Sequence, residues 1–190
     1  MSNAGLFARN PSQLERIIGP EQLSAAARSY SAAMSVSVGT NITATTNVSM
    51  AQLFHAGGGA AILVSRLMVT TAQAAGANVG KVRFHANFIS ALGAGGNAEA
   101  ITPHERGGAA SECTYTRGAG TPTRVGGFFW TMMRAGNQEQ AFAWDIISSL
   151  QQPILLRRGL SEGIEVHSTI ETALAQQIFC TVSMTWTEVP

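Results

Sequence analysis

The side chains of this chain best suited to chemistry are four histidines, His55, His85, His104 and His167, and a single aspartate, Asp145. Imidazoles act as metal ligands and as proton carriers near neutral pH. The carboxylates nearest them in sequence are Glu105, Glu165 and Glu171. A metal site raised on strands needs histidines that point the same way at short spacing, and the chain has no HxH or HxxxH pair. No metal and no cofactor are therefore expected. His85 falls on the polar side of an alternating run and is read as a surface or interface residue. Asp145 follows Trp144 inside an apolar run; it is read as a strand-end carboxylate holding Arg157, Arg158 or a backbone N–H, not as a general base. Ser-His-Asp chemistry is not expected either, and the chain is read as a non-enzyme.

The elements that carry these residues are strands. In Gln177 to Glu188, Ile178, Cys180, Val182, Met184 and Trp186 alternate with Phe179, Thr181, Ser183, Thr185 and Thr187, the period-two pattern of a half-buried strand. Lys81 to Leu92 alternates likewise, with Val82, Phe84, Ala86 and Phe88 opposite Arg83, His85 and Asn87. In Ala61 to Thr71, Leu63, Ser65, Leu67 and Val69 face away from Val64, Arg66, Met68 and Thr70. Met34 to Val38 and Ile42 to Val48 read as a hairpin joined by Gly39-Thr40-Asn41. Glu112 to Thr116 reads as a short strand, Gly127 to Met133 as a strand buried on both faces, and Phe142 to Ile147 as another. Pro153 to Val166 reads as a hairpin with Arg157 and Arg158 set against Glu162 and Glu165 in a cross-strand charge pattern. Ala91 to Ala110 and Arg117 to Thr123 read as loops. Gly57-Gly58-Gly59 and Gly93-Ala94-Gly95-Gly96 lack the spacing of phosphate-binding loops and read as inter-strand connections.

Many short strands with frequent turns and no strand-helix alternation predict an all-β protein, a single antiparallel β-sandwich over residues 31–190. Residues 1–30 form an N-terminal arm, partly helical, with Asn10 as cap, Pro11 in the first turn, and Leu14, Ile17, Ile18 and Leu23 as its apolar contact residues. Such an arm is too short to fold alone and must dock on something. At least two of Trp130, Trp144 and Trp186 are expected in the core.

The composition narrows the function classes. The chain has 190 residues, 12% of them charged, where an average soluble domain has roughly 25%. Its exterior must be Ser, Thr, Gly, Ala and Asn, or be covered by other subunits. A net charge of +1 offers no general attraction to nucleic acid or anionic lipid. Met1 to Pro20 contains Arg9, Glu15 and Arg16, which is not the pattern of a secretory leader, and no membrane span is expected. Cys113 and Cys180 are the only cysteines. Cys180 is read as a small buried hydrophobe, and a disulfide between the two is possible only in an oxidising setting.

Phe142-Ala143-Trp144-Asp145, Gln152-Pro153-Ile154-Leu155-Leu156-Arg157-Arg158-Gly159-Leu160-Ser161-Glu162-Gly163-Ile164-Glu165-Val166 and Val182-Ser183-Met184-Thr185-Trp186-Thr187-Glu188 resemble the closing strands of small tailed-phage virion proteins. Arg158 and Ser161 depart from the commoner residues of that pattern. The resemblance implies a jelly-roll-like sandwich, a capsid decoration or cement subunit, and a homotrimer that binds the major capsid protein or other virion proteins. Assembly would take place in the host cytoplasm and the final location would be the virion. A second reading, a fibre module recognising a host-surface glycan through an exposed Trp or Tyr115 and the Gly-rich loops, calls for a solvent-exposed aromatic beside polar loop residues.

Overall fold

The computed structural model describes residues 27–38, 47–73, 81–118, 120–134, 140–145, 153–170 and 178–190. Among them there is no helix; the chain folds as two six-stranded antiparallel sheets. The first sheet, A, contains β1 (Arg28–Val38), β3 (Ala61–Gln73), β6 (Thr102–Pro103), β9 (Gln140–Asp145), β10 (Ile154–Leu156) and β12 (Ile178–Val189). Its order is β10-β3-β12-β1-β6, with β9 also paired to β3. The second, B, contains β2 (Asn47–Ala56), β4 (Val82–Ala91), β5 (Asn97–Ala98), β7 (Cys113–Arg117), β8 (Thr123–Arg134) and β11 (Ser161–Ile170). Its order is β5-β7-β2-β11-β4-β8.

The period-two pattern of β12 is realised in full: Ile178, Cys180, Val182, Met184 and Trp186 are buried, while Phe179 is exposed and the residues between them half-buried. These inward residues meet Phe84, Ala86, Leu53, Ile164 and Val166 of sheet B in one hydrophobic cluster. Tyr30 stacks on Trp186 with ring centroids 6.0 Å apart. Tyr115 crosses the core, its hydroxyl donating to the Val182 carbonyl at 2.9 Å. Arg28, Ser29 and Tyr30, assigned to the arm from sequence, open β1.

The hairpin expected over Pro153 to Val166 is overturned: β10 lies in sheet A and β11 in sheet B, and the turn between them is a corner that carries the chain from one sheet to the other. The connection of the hairpin expected over Met34 to Val48 lies outside the described residues; β1 belongs to sheet A and β2 to sheet B. Two strands that bury one face each show the same alternation whether they pair side by side or face each other, so the pattern does not separate these cases. The corner Arg157 to Leu160 is held by Glu162, which accepts from the Arg157 backbone N–H at 2.8 Å and from its guanidinium.

The alternation expected for β3 also shifts. The register against β12 slips between Thr185 and Trp186, with Arg66 opposite Thr185 and Val64 opposite Trp186. Ser65 is the extra residue, and its hydroxyl donates to the Thr185 carbonyl at 3.2 Å. A bulge of this kind resets which residues face the core. Ile62 and Val64 point inward before it, and Leu67 and Val69 after it.

The connection from β4 to β8, read as loop with one strand, builds most of one flank. β7 extends sheet B beyond β2 and β6 extends sheet A beyond β1. Glu188 anchors the run before β7: it accepts from the Ser111 hydroxyl, from the Glu112 N–H at 3.1 Å and from the Trp186 indole at 3.3 Å. β8 ends the strand order of sheet B; the side chains of Phe128, Phe129, Trp130, Met132 and Met133, on which the expectation of burial on both faces rests, lie outside the described residues.

Candidate assembly surface

The outer face of sheet A follows from the alternation of its three long strands. β12 presents Phe179, Thr181, Ser183, Thr185 and Thr187. The ladder sets Ser29, Ala33 and Ser35 of β1 against Thr187, Ser183 and Thr181. On the other side of β12, Met68 and Thr70 of β3 lie opposite Ser183 and Thr181. All are half-buried or exposed, and none is charged. Arg66, exposed opposite Thr185 on one side and Asp145 of β9 on the other, brings one positive charge onto this face. Hydroxyls bond laterally, Ser29 to Thr187 and Ser35 to Thr181, both at 3.0 Å. Hydroxyls satisfied by each other lose less when water is removed, so the face can be covered at low desolvation cost. Phe179, 46% exposed, adds an apolar anchor at one end.

The outer face of sheet B is built differently. The ladders place Ser49, His167, His85 and Thr131 in one transverse row and Gln52, Glu165 and Asn87 in the next. Gln52, Glu165, Asn87, His167 and His85 are all buried. His85 is therefore not a surface residue. The cover comes from the β4–β8 connection. Gln52 accepts from the Gly93 N–H at 2.9 Å and donates to the Gly120 carbonyl at 3.1 Å, while Gly120 N–H bonds the Ala94 carbonyl at 2.8 Å. A Cβ on Gly93 would lie 1.8 Å from the Gly120 oxygen, so only glycine permits this approach.

Within this layer Arg124 forks onto Glu165 at 2.6 and 3.1 Å, and His167 Nδ1 lies 3.5 Å from the same carboxylate. Glu165 was expected to oppose the Arg157-Arg158 turn; it takes Arg124 instead, and Arg157 takes Glu162 alone. Burial works against ionisation of Glu165, but bonds from His167, Arg124 and Ser49 outweigh it and hold its carboxyl below the ordinary value. His85 stacks on His167 at 5.1 Å and bonds the Thr131 hydroxyl at 3.0 Å. Burial, then the neighbouring His167, Arg83 and Arg124, bring its imidazole down to about 4.

These shifts predict a pH profile. The unfolded chain protonates His85 near 6.5, whereas the folded chain resists until about 4. Proton uptake by the unfolded state thus erodes stability as pH falls from 6.5 to 4. The depressed Glu165 carboxyl adds stability above the ordinary carboxylate range that is lost as pH falls through its lowered folded value. Thermal melting between pH 7 and 4 should show a progressive fall in Tm, and His85→Gln should flatten the part above pH 5.

Of the enzyme-like groups, His85, His167 and Glu165 come together in this layer, while among the described residues no cluster of three His, Cys, Asp or Glu could hold a metal. His55 is buried with Nε2 3.5 Å from Glu112, and His104 is exposed. Gly159-Leu160-Ser161-Glu162-Gly163 has the Gly-x-Ser-x-Gly spacing of a nucleophile elbow, a match the sequence reading passes over. An elbow needs a strand-to-helix turn; here Ser161 is exposed at the start of β11, and no described histidine bonds it.

Tyr115, put forward for stacking on a sugar, is wholly buried, as is Trp186. Cys113 and Cys180 are both free thiols, and burial pushes the Cys113 thiol up. The arm residues Leu14, Ile17, Ile18 and Leu23 lie outside the described residues, as do the side chains of Trp130 and Trp144. No helix among the described residues is long and apolar enough to cross a membrane.

No protein-family model matches the chain, and no curated protein does. Among solved structures, it is similar to the pilus protein of Bacillus endospore appendages at 12% identity, covering 84% of this chain and 88% of that one with a TM-score of 0.30. The decameric BFDV capsid protein matches at 9% identity over 86% of this chain and 98% of its own, TM-score 0.35. A nora virus chain matches at 11% identity over 84% and 56%, TM-score 0.30.

Proposed function

We propose that this chain is a structural subunit of a virus particle, a decoration or cement subunit of a bacteriophage head. In this reading it assembles in the host cytoplasm as a homotrimer and binds the major capsid protein. No catalytic residue is required. Its eight long strands alternate between the sheets in the order of a jelly roll, β1-β12-β3-β9 facing β2-β11-β4-β8. That architecture serves virus shells, lectins and cupins alike, so it permits the role without selecting it.

The observation that carries the proposal is the charge-poor outer face of sheet A, where Arg66 is the one charged residue among the outward positions given above. Three strands about 4.8 Å apart and some 11 residues long offer roughly 500 Å², to which β9, β10 and β6 add. A standard interface takes about 800 Å² per partner. A face this poor in charge, with two of its hydroxyl pairs bonded laterally, suits repeated burial against neighbours, where each small contact is multiplied around a shell.

Ser183 is at the centre of this face, between Ala33 and Met68. Ser183→Glu should leave the melting temperature nearly unchanged, because the side chain points away from the core. An unpaired carboxylate buried in the contact costs about 2–5 kcal/mol, so binding to empty shells should weaken at least 30-fold. Unchanged binding by this variant would remove the face from the account.

A further inference from the structure

We propose that the apolar groove on the open flank of the sandwich receives the N-terminal arm of a second copy of this chain, an inference that rests on the assembly reading above. The groove, ≈ 430 Å³, is walled by Phe88, Ile89, Val125 and Leu155, with the Arg157 and Glu162 pair at its margin. One flank of the sandwich is closed by the β4–β8 connection. The other ends in β8 of sheet B and β10 of sheet A, and the groove opens there. Val125 is 52% exposed and Leu160, in the adjoining corner, 42%. Two exposed aliphatic residues beside an apolar cleft on so charge-poor a chain mark a place that something covers.

The arm has the chemistry to cover it. Residues 1–26 precede the first described residue, and Leu14, Ile17 and Ile18 repeat at the spacing that puts them on one side of a helical turn. Glu15 and Arg16 between them carry both signs, matching the Arg157 and Glu162 margin. The arm also starts from the right end of the molecule. Arg28 lies opposite Glu188, Glu188 opposite Ile62, and Ile62 opposite Leu156. From Arg28 to the β10 edge is three strand spacings, ~14 Å, and the ten residues back to Ile18 span up to ~35 Å.

The corners around Gly58 and Gly159 are bonded to each other at 3.2 Å, at the end of the sandwich that carries Arg28, Ile62 and Leu156. In this proposal the arm leaves that end and enters a neighbour's groove from its open flank. Arm-to-groove contacts of this kind are head-to-tail, and three of them close a ring.

The test uses full-length chains and no capsid, so its failure is separate from failure of shell binding. Ile18→Cys and Val125→Cys chains are prepared apart, mixed, and treated with diamide; the native Cys113 and Cys180 are buried. The expected result is a disulfide-linked heterodimer on a non-reducing gel, absent when Leu92→Cys replaces Val125→Cys. Val125→Asp, a change at an exposed position, should lower the mass measured by light scattering to that of a monomer. No heterodimer, or a bridge confined to single chains in the Ile18→Cys/Val125→Cys double variant, would overturn the proposal.

Discussion

Replacing Trp186 by alanine should remove about 3–5 kcal/mol of stability, a third or more of what a domain of this size commonly has. Trp186 is wholly buried, stacks on Tyr30, and donates its indole N–H to Glu188. Alanine would leave a cavity between the sheets and withdraw one of the donors that hold Glu188 in place. Because Glu188 also binds Ser111 and the Glu112 N–H, the damage should spread to the β4–β8 connection. With an m-value of roughly 2–3 kcal/mol/M, the urea midpoint should fall by about 1–2 M. Trp186→Phe, which keeps the ring contact, should lose less than half as much. A midpoint shift below 0.3 M, on the order of a surface substitution, would contradict the placement of Trp186 at the core.

The second large effect is an asymmetry across the Arg124 and Glu165 pair. Glu165 is completely buried, whereas the Arg124 side chain keeps 24% exposure. Removing either partner of a buried pair leaves the other charge unmatched, at a cost of about 3–5 kcal/mol when it is trapped. The Arg124 guanidinium can turn toward water; the Glu165 carboxylate cannot. Arg124→Gln should therefore cost about 3 kcal/mol or more and Glu165→Gln about 1–2 kcal/mol, by urea titration at pH 7. The double variant should be more stable than Arg124→Gln alone, since the stranded charge is then gone. Equal losses in the two single variants would mean that Glu165 reaches solvent or another cation.

Much of sheet A could be read in the sequence, because its long strands β1, β3 and β12 each bury one face and show it. The alternation from Ile178 to Trp186 selects its buried residues one by one, and the free, buried state of Cys180 fits the same pattern. The Ser65 bulge was not readable, since a single extra residue shifts the phase without changing the residue types around it. The corner at 157–160 was read as a hairpin turn for a related reason: alternation reports which face is buried, not which sheet the strand joins. On sheet B the polar rows misled. His85 and Asn87 alternate as solvent-facing residues do, yet both are buried, in rows with His167 and Glu165, and the neighbouring Gln52 is covered by a connection whose contacts come from Gly93 and Gly120. That cover depends on a backbone approach at two glycines, which no periodicity reveals. The candidate face itself was legible as Ser, Thr and Ala in the outward positions of β1 and β12. That Arg66 is the one charge among its outward positions given above became visible only once the register joined the three strands.

The central claim is that this chain works by being covered, through the outer face of sheet A, in a virus shell. It is tested most directly by co-sedimentation of the purified protein with empty phage shells assembled from major capsid protein, combined with amide hydrogen exchange on the pelleted complex. The account predicts saturable binding, with new protection concentrated in β12, β1 and β3 at Thr181 to Thr187 and their ladder partners. A chain that stays in the supernatant at all concentrations, or that pellets with those strands exchanging as in the free protein, would contradict it.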